Sequence, residues 1–342
     1  MTLAHHIETL ANKPVNEDQA RVMVQGDDVV VCVCDGHGGP LASHYVIQHL
    51  PPTLLHLHHA NLVQHIRRVD VDLLYHLKPE QRNQGTTLAC LIYRKRTGAT
   101  ILTLGDSQVY VYIRYPRGQE LKTYPWPMTK AMVSTHQPAV LYESRTAKPW
   151  PGAHVRADLT VAVNMGSAMG DWTLKNRDVY ETFCRLWGIT CKPWNERVRR
   201  AWCATDKMGL CDPWPSARAF RDWTTSSPDN VHANPEGFLS NTAEVARIPA
   251  KDLEEIQRNG GQVVFLVVSD GVTDNLARCD DVSRDRILWN ALMNSLDNEP
   301  SLSNETLPKI AKNIVRQARK NRYKPDDITV AALLLDARQP SL

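Results

Sequence analysis

Two short runs of apolar residues, Val29–Cys34 and Val263–Val268, are each followed closely by an Asp-Gly pair. Runs of this length, rich in β-branched residues and ended by turn residues, predict buried β-strands. A carboxylate beside the end of such a strand is costly to remove from water unless it is paired or bound to a metal ion. The fold must therefore bury both strands and still satisfy the aspartates, Asp35 and Asp270, that follow them.

Most of the remaining chain also has the pattern of strands joined by turns. The turn residues Gly26-Asp27-Asp28 predict a hairpin between the strand at Arg21–Val24 and the first apolar run. The strands between Thr86 and Arg114 predict a meander. The further predicted strands are Arg21–Val24, Thr86–Arg94, Ala99–Thr103, Gln108–Arg114, Leu159–Asn164 and Ile328–Leu335.

Two segments have the pattern of helices. Leu41–Leu50 follows a Gly-Gly-Pro sequence, and Asn304–Lys320 has apolar residues at helical spacing, with Asn304 as its expected cap and Pro308 in its first turn. Few β-α-β alternations occur, so we expect antiparallel sheets covered by helices rather than a doubly wound parallel sheet. The 342 residues, 42% of them hydrophobic, are enough for one large domain over 1–342.

The stretch from Trp172 to Gly237, here called the tryptophan-rich stretch, differs from the rest of the chain. It carries six of the nine tryptophans and little strand periodicity. A structureless loop of this length is uncommon, so we interpret it as an inserted subdomain or a long elaborated loop. Its aromatic residues would form either a local core of their own or a docking site for a protein partner.

The charge and hydropathy patterns exclude several classes of protein. A formal net charge of +3 and short basic clusters without an aromatic stripe argue against a nucleic-acid-binding protein. No apolar run approaches the roughly 20 residues that cross a bilayer, and the N-terminal residues lack an apolar signal core. We therefore expect no membrane partner and an intracellular protein, cytoplasmic or nuclear, that is not secreted.

Acidic residues recur at strand ends and turns along the whole chain. Any one of them alone is most simply an ordinary turn or loop residue. Together they suggest carboxylates that converge, and divalent cations would relieve their mutual repulsion. The recurrent positions are Glu17, Asp18, Asp35, Asp106, Asp171, Asp270, Asp326 and Asp327.

Oxygen ligands without a histidine or cysteine cluster favour Mg²⁺ or Mn²⁺ over Zn²⁺, and the sequence does not choose between the first two. Two such ions about 4 Å apart would activate a bridging water and hold a phosphoryl group. The glycines of Asp35-Gly36-His37-Gly38-Gly39 would let the backbone approach a ligand closely.

Seven short segments, taken in order, form a recognisable set: Lys13–Asp18, Asp35–Gly39, Gly85–Ala89, Leu104–Ser107, Gly166–Asp171, Ser269–Asp274 and Asp326–Val330. In this order they resemble the motifs of the metal-dependent serine/threonine protein phosphatases of type 2C. The resemblance covers about residues 13–336, apart from the tryptophan-rich stretch, and no single motif is as specific as the ordered set.

The resemblance implies a four-layer α-β-β-α sandwich of the α+β class and a role for each matching residue. Asp35 would bridge two metal ions, with the Gly36 carbonyl completing one site. Glu17, Asp270 and Asp326 would hold the other ion. The outer positions Asp18, Asp106 and Asp171 would bind waters or a third ion. His37 would be the general acid for the leaving alkoxide of a phosphoserine or phosphothreonine substrate.

The chain departs from the family pattern at several positions. Lys13 stands where the family usually has a phosphate-binding arginine, so the charge is kept but the bidentate fork is lost. Gln108 replaces another arginine, Asn164-Met165 replaces Ser-Arg, and Asp327 replaces an asparagine. We expect weaker phosphate binding, with the metal ligands retained.

Two other functions compete with a metal-dependent phosphatase. A cysteine-dependent phosphatase would use Cys90 with Arg96 or Cys191 with Arg197, but neither pair has a glycine-rich phosphate loop. A phosphatase fold without activity could instead bind phosphoproteins as a scaffold, and the lysine at position 13 is the substitution in its favour.

Overall fold

The computed structural model describes residues 2–114, 139–143, 154–155, 160–163, 168–188, 243–276, 294–296, 298–299, 302–321 and 326–336. The strands are β1 (Thr2–Leu10), β2 (Gln19–Gln25), β3 (Asp28–Cys34), β4 (Gly36–His37), β5 (Gly85–Thr86), β6 (Leu88–Arg94), β7 (Gly98–Leu104), β8 (Gln108–Arg114), β9 (Ala139–Glu143), β10 (His154–Val155), β11 (Thr160–Val163), β12 (Met169–Gly170), β13 (Glu244–Pro249), β14 (Gln262–Val268) and β15 (Ile328–Asp336). The helices are α1 (Leu41–Leu54), α2 (Leu62–His76), α3 (Trp172–Lys175), α4 (Arg177–Leu186), α5 (Ala250–Arg258), α6 (Asp270–Leu276) and α7 (Leu307–Asn321).

The strands of the described residues form two large antiparallel sheets and two small ones. The first large sheet has the order β13-β7-β6-β3-β2, and the second has the order β1-β15-β14-β8. The predicted hairpin is confirmed, because β2 and β3 pair with Val24 opposite Val29. The small sheets have the orders β10-β11-β9 and β12-β5-β4.

The predicted meander is wrong at its third strand. After β7 the chain passes to the second sheet, where β8 pairs with β14, while the free edge of β7 pairs with β13. The alternation of side chains in β8 requires only that one face be buried, and it does not record which strand supplies the hydrogen bonds. Val109, Val111 and Ile113 of β8 therefore fill the core between the two sheets instead of extending the first.

Three hydrophobic cores separate four layers. Val29, Val31 and Val33 face the core between the sheets, whereas the alternate residues of β3 face α1 and α2. In the second sheet, Val264 of β14 and its alternate neighbours pack against α6 and α7. Each central strand is thus buried on both faces, which explains its continuous apolar sequence, and the predicted α-β-β-α sandwich of the α+β class is confirmed.

The two predicted helices are present with shifted ends. The first extends to Leu54, beyond the predicted end at Leu50. The last begins at Leu307 and includes Pro308 in its first turn, as expected. Asn304 is not its cap, because the hydroxyl of Ser303 accepts the N–H groups of Glu305 and Thr306 in the turn before the helix.

The tryptophan-rich stretch is described only as far as Gly188. Its first residues form α3 and α4, and the Trp172 indole is buried against Leu74 and Val179. Residues 189–237 lie outside the described residues, so the inserted subdomain stays a prediction. Among the helices of the described chain, none combines the length and the apolar character that a membrane span requires.

Candidate metal centre and catalytic site

Three aspartates predicted to hold metal ions meet at one end of the sandwich. Asp35 follows β3, Asp270 begins α6 and Asp326 lies just before β15. One carboxylate oxygen from each lies within 4.8 Å of the others, and all three side chains are buried. The two large sheets therefore bring together carboxylates that are up to 291 positions apart in the chain.

Asp35 is buried at the centre of this arrangement, next to other carboxylates. Its main chain is fixed by the Thr86 and Thr87 side chains, since the Thr86 hydroxyl donates to the Asp35 carbonyl at 3.0 Å and the Thr87 hydroxyl accepts the Asp35 N–H at 3.1 Å. Burial, together with the neighbouring charges of Asp18 and Asp270, raises the pKa of the Asp35 carboxyl well above its ordinary value. A bound cation would relieve this cost directly.

Asp18 adds a fourth carboxylate, and it is almost completely buried, with 1% of its surface exposed. Neither of its oxygens has a well-oriented hydrogen-bond donor among the described residues. Burial raises the pKa of Asp18 to about 7, aided by the charges of Asp270 and Asp327 and opposed by the nearby hydroxyl groups of Ser269 and Thr329. A buried carboxylate without a donor normally has a water or ion as its partner, so this residue fits an outer metal position.

Glu17 and Lys13 reach the same cluster from the loop before β2. The Lys13 ammonium lies 2.8 Å from the Glu17 carboxylate and 2.7 Å from the Asp326 carboxylate. Burial opposes the charge of Lys13, but the hydrogen bonds to Asp326 and Glu17 outweigh it and raise the pKa of the ammonium group. The lysine predicted to bind phosphate therefore contacts two of the predicted metal ligands.

The main chain of Gly36 packs directly on the Glu17 loop. Its N–H donates to the Glu17 carbonyl at 3.2 Å, and the Ser43 hydroxyl donates to the same carbonyl at 2.6 Å. A Cβ atom at position 36 would lie 2.6 Å from that carbonyl oxygen, closer than any side chain tolerates. The glycine is thus required for the loop to approach Asp35.

His37 lies beside the carboxylate cluster and is paired with Asp171. The small sheet β12-β5-β4 brings them together, and the imidazole Nε2 lies 2.6 Å from an Asp171 carboxylate oxygen. Burial favours the neutral ring, although 24% of the side chain is exposed, but the negative charge of Asp171 outweighs it and raises the pKa of His37. A protonated imidazole here could deliver a proton to a leaving group.

Asp171 is held in an unusual backbone conformation. Its φ of 50° is the one positive value among the described residues other than glycine. Its N–H donates to the Gln84 carbonyl at 2.8 Å. Its carboxylate also fills the space over Gly85, where a Cβ atom would lie 2.0 Å from an Asp171 oxygen. Aspartate adopts this region more readily than most residues, and such conformations cluster at functional sites.

Asp106 is half-buried at the turn between β7 and β8, and its charge contributes to the raised pKa of His37.

All the predicted site residues lie among the described residues. Two features of the site have no signal in the sequence. The buried pair of Asp70 and Lys175 has no recognisable pattern. Asp327 stands out in the sequence as an acidic residue in place of an asparagine, but its hydrogen bonds to the loop that carries Lys13 and Glu17 appear only in the structure.

Cys90 does not form a nucleophilic site. It lies in β6 with no exposed surface, and its sulfur is 2.9 Å from that of Cys32 on the neighbouring strand. A buried thiol within a paired strand has no exposed backbone amides around it to bind a phosphate. The alternative pair, Cys191 with Arg197, lies outside the described residues.

The donor set fits hard divalent cations. Its members supply carboxylate oxygens, and among the described residues no histidine or cysteine belongs to this cluster. Together with the Asp18 carboxylate, which has no well-oriented donor among the described residues, this composition suits Mg²⁺ or Mn²⁺.

Several solved structures of other proteins have a similar architecture. No model of a known family and no curated protein matches the chain, but solved structures do. A C. elegans sex-determining protein matches 98% of this chain, which spans only 65% of that protein, with a TM-score of 0.53 and 14% identity. The serine-threonine phosphatase 2C of Toxoplasma gondii matches 97% of this chain and 94% of its own, with a TM-score of 0.51 and 13% identity.

The chain has the fold of a type 2C phosphatase. The T. gondii structure is matched over nearly its whole length. Because the sequence identity is so low, this match establishes the fold alone. Any activity must therefore be argued from the residues at the site.

Proposed function

We propose that the protein is a metal-dependent serine/threonine protein phosphatase that uses two Mn²⁺ or Mg²⁺ ions, with outer acidic positions as ligands for waters or a third ion. The observation that carries the proposal is the convergence of Asp35, Asp270 and Asp326 within 4.8 Å. Three buried carboxylates at this separation repel one another strongly unless cations lie between them. The type 2C phosphatase fold supports the same function.

Asp35, Asp270, Asp326 and Glu17 would hold the ions, with the Gly36 carbonyl completing one site. The bound ions would supply an activated water and would neutralise charge on the phosphoryl group. The other acidic positions, Asp18, Asp106 and Asp171, would bind waters or a third ion.

The remaining steps belong to residues of the chain. Lys13, with 29% of its side chain exposed, can turn from the carboxylates toward a phosphate oxygen entering from solvent. His37, held by Asp171, would donate the proton that a serine or threonine alkoxide needs to leave. This division of roles makes phosphoserine and phosphothreonine in proteins the expected substrates.

The test is hydrolysis of a phosphothreonine peptide by the purified protein with Mn²⁺, with excess chelator and after thiol alkylation. We expect activity that requires the metal and survives alkylation. Asp270→Asn should reduce kcat/KM by about a hundredfold or more, because it removes a metal ligand and even outer-shell changes cost about 10–100-fold. The control is Asp27→Asn, which changes an exposed aspartate at the other end of β3 from Asp35.

A folded protein without activity in any divalent metal would refute the enzymatic function. The substitution at Lys13 would then favour a phosphoprotein-binding scaffold. Binding of the phosphothreonine peptide, compared with its unphosphorylated form, would identify that function.

A further inference from the structure

Asp327 is a completely buried carboxylate that follows the predicted metal ligand Asp326. It accepts three hydrogen bonds from main-chain N–H groups of one loop. Its Oδ1 accepts from Asn12 at 2.7 Å and from Lys13 at 3.0 Å, and its Oδ2 accepts from Glu17 at 2.9 Å. One side chain thus fixes both ends of the loop that carries the lysine and the glutamate.

The same loop has a second connection to the centre. The Asn12 side-chain amide donates to the main-chain carbonyl of Asp326 at 2.7 Å. The Lys13 ammonium lies 2.7 Å from the Asp326 carboxylate. Two consecutive aspartates therefore hold the loop. Asp327 holds it through its side-chain oxygens. Asp326, a predicted metal ligand, holds it through its main-chain carbonyl and its carboxylate.

The three N–H donors around position 327 suit a carboxylate better than the asparagine that is typical of the family the sequence resembles. An asparagine has one side-chain oxygen, so its amide nitrogen would have to face either the N–H of Glu17 or the N–H groups of Asn12 and Lys13. Two donors facing each other in a buried site leave at least one of them without a partner, which destabilises that arrangement.

We propose that Asp327 is a positioning residue that holds Lys13 and Glu17 against the metal centre, so that the affinity for divalent cations depends on it. The proposal rests on the proposed function, because it assigns Glu17 to the metal. Asp327 itself is not one of the three converging carboxylates, and each of its oxygens accepts main-chain hydrogen bonds.

The first experiment is titration of the chelator-treated protein with Mn²⁺ alone, followed by calorimetry, for wild type, Asp327→Asn and Asp27→Asn. We expect the Kd for Mn²⁺ to rise about 10–100-fold in Asp327→Asn, which is typical of lost outer-shell support. Asp27→Asn, at an exposed turn, should leave it unchanged. A change of less than about threefold in a variant that still unfolds cooperatively would overturn the proposal.

The second experiment needs no variant, so it remains decisive if Asp327→Asn does not fold. Hydrogen exchange in the wild-type protein should show protected amides at Asn12, Lys13 and Glu17, although none of them lies in a helix or strand. Exchange at the rate of an exposed loop would refute the anchoring role. Failure of the wild type to bind Mn²⁺ would instead refute the proposed function, and the exchange data would still decide whether Asp327 holds the loop.

Discussion

Lys175 and Asp70 form an ion pair with no exposed surface, next to the turn that leads to Asp171. The Lys175 ammonium lies 2.7 Å from an Asp70 carboxylate oxygen and donates to the Ala168 carbonyl at 2.7 Å. The other Asp70 oxygen accepts the N–H of Gly170 at 2.6 Å. The pair therefore connects α2 to the strand just before Asp171.

Replacement of Lys175 by methionine keeps an unbranched side chain that is one atom shorter and removes its charge. Asp70 would then be a buried carboxylate without its cation, and breaking a buried pair in this way costs about 3–5 kcal/mol. We expect Lys175→Met to lower the free energy of unfolding by that amount, which is at least a hundredfold in the folding equilibrium. Since domains are stable by about 5–15 kcal/mol, the variant should remain folded in buffer at low temperature.

Urea unfolding, followed by circular dichroism at neutral pH, measures this loss. The matched control is the double variant Asp70→Asn/Lys175→Met, which removes both charges and keeps the volume. It should recover a large part of the stability, because no charge is left buried without a partner. A loss below about 1 kcal/mol in Lys175→Met, or losses that simply add in the double variant, would refute the reasoning.

Two further predictions concern titration. Asp171 raises the pKa of His37 above its ordinary value of 6.5, so the protonated imidazole persists to higher pH. Activity should therefore fall as the pH rises through this raised pKa, because the general acid is lost. In Asp171→Asn, the kcat/KM profile should show that fall at lower pH. Asp18 has a pKa raised from 3.8 to about 7, so its stabilising contribution is complete below 3.8 and is lost as the pH rises through 7. The melting temperature of the chelated protein should fall over that interval, less so in Asp18→Asn, and Mn²⁺ should reverse the fall. If the melting temperatures of the chelated wild type and Asp18→Asn depend on pH in the same way, the prediction for Asp18 is wrong. If the kcat/KM profile of Asp171→Asn is unchanged, the prediction for His37 is wrong.

Much of the fold was predictable because it depends on local patterns. The continuous apolar runs of β3 and β14 predicted strands buried on both faces, and the turn at Gly26 predicted the β2–β3 hairpin. The strand β1 and the helix α2 were not predicted. Both include polar and histidine residues in their sequences, and their stability comes from packing against elements distant in the chain.

The candidate site was predictable for a different reason. Carboxylates at the ends of apolar strands are costly to bury without a ligand, so their recurrence at Asp35, Asp270 and Asp326 predicted that they lie close together, as the structure shows. Supporting residues carry no such signal. Lys175 is a lysine like any other in the sequence, and only its burial against Asp70 reveals what it does.

The sequence by itself determined that the continuous apolar runs are buried strands, which carboxylates are candidates for metal binding and which general class of fold can contain them. The tertiary structure alone decided that β8 pairs in the second sheet, that His37 lies against Asp171 and that Asp327 anchors the loop of Lys13 and Glu17. The physical reason is the range of the interactions. Side-chain periodicity and turn chemistry act between neighbours in the chain, whereas strand pairing and the partners of buried charges are settled between residues that only the folded chain brings together.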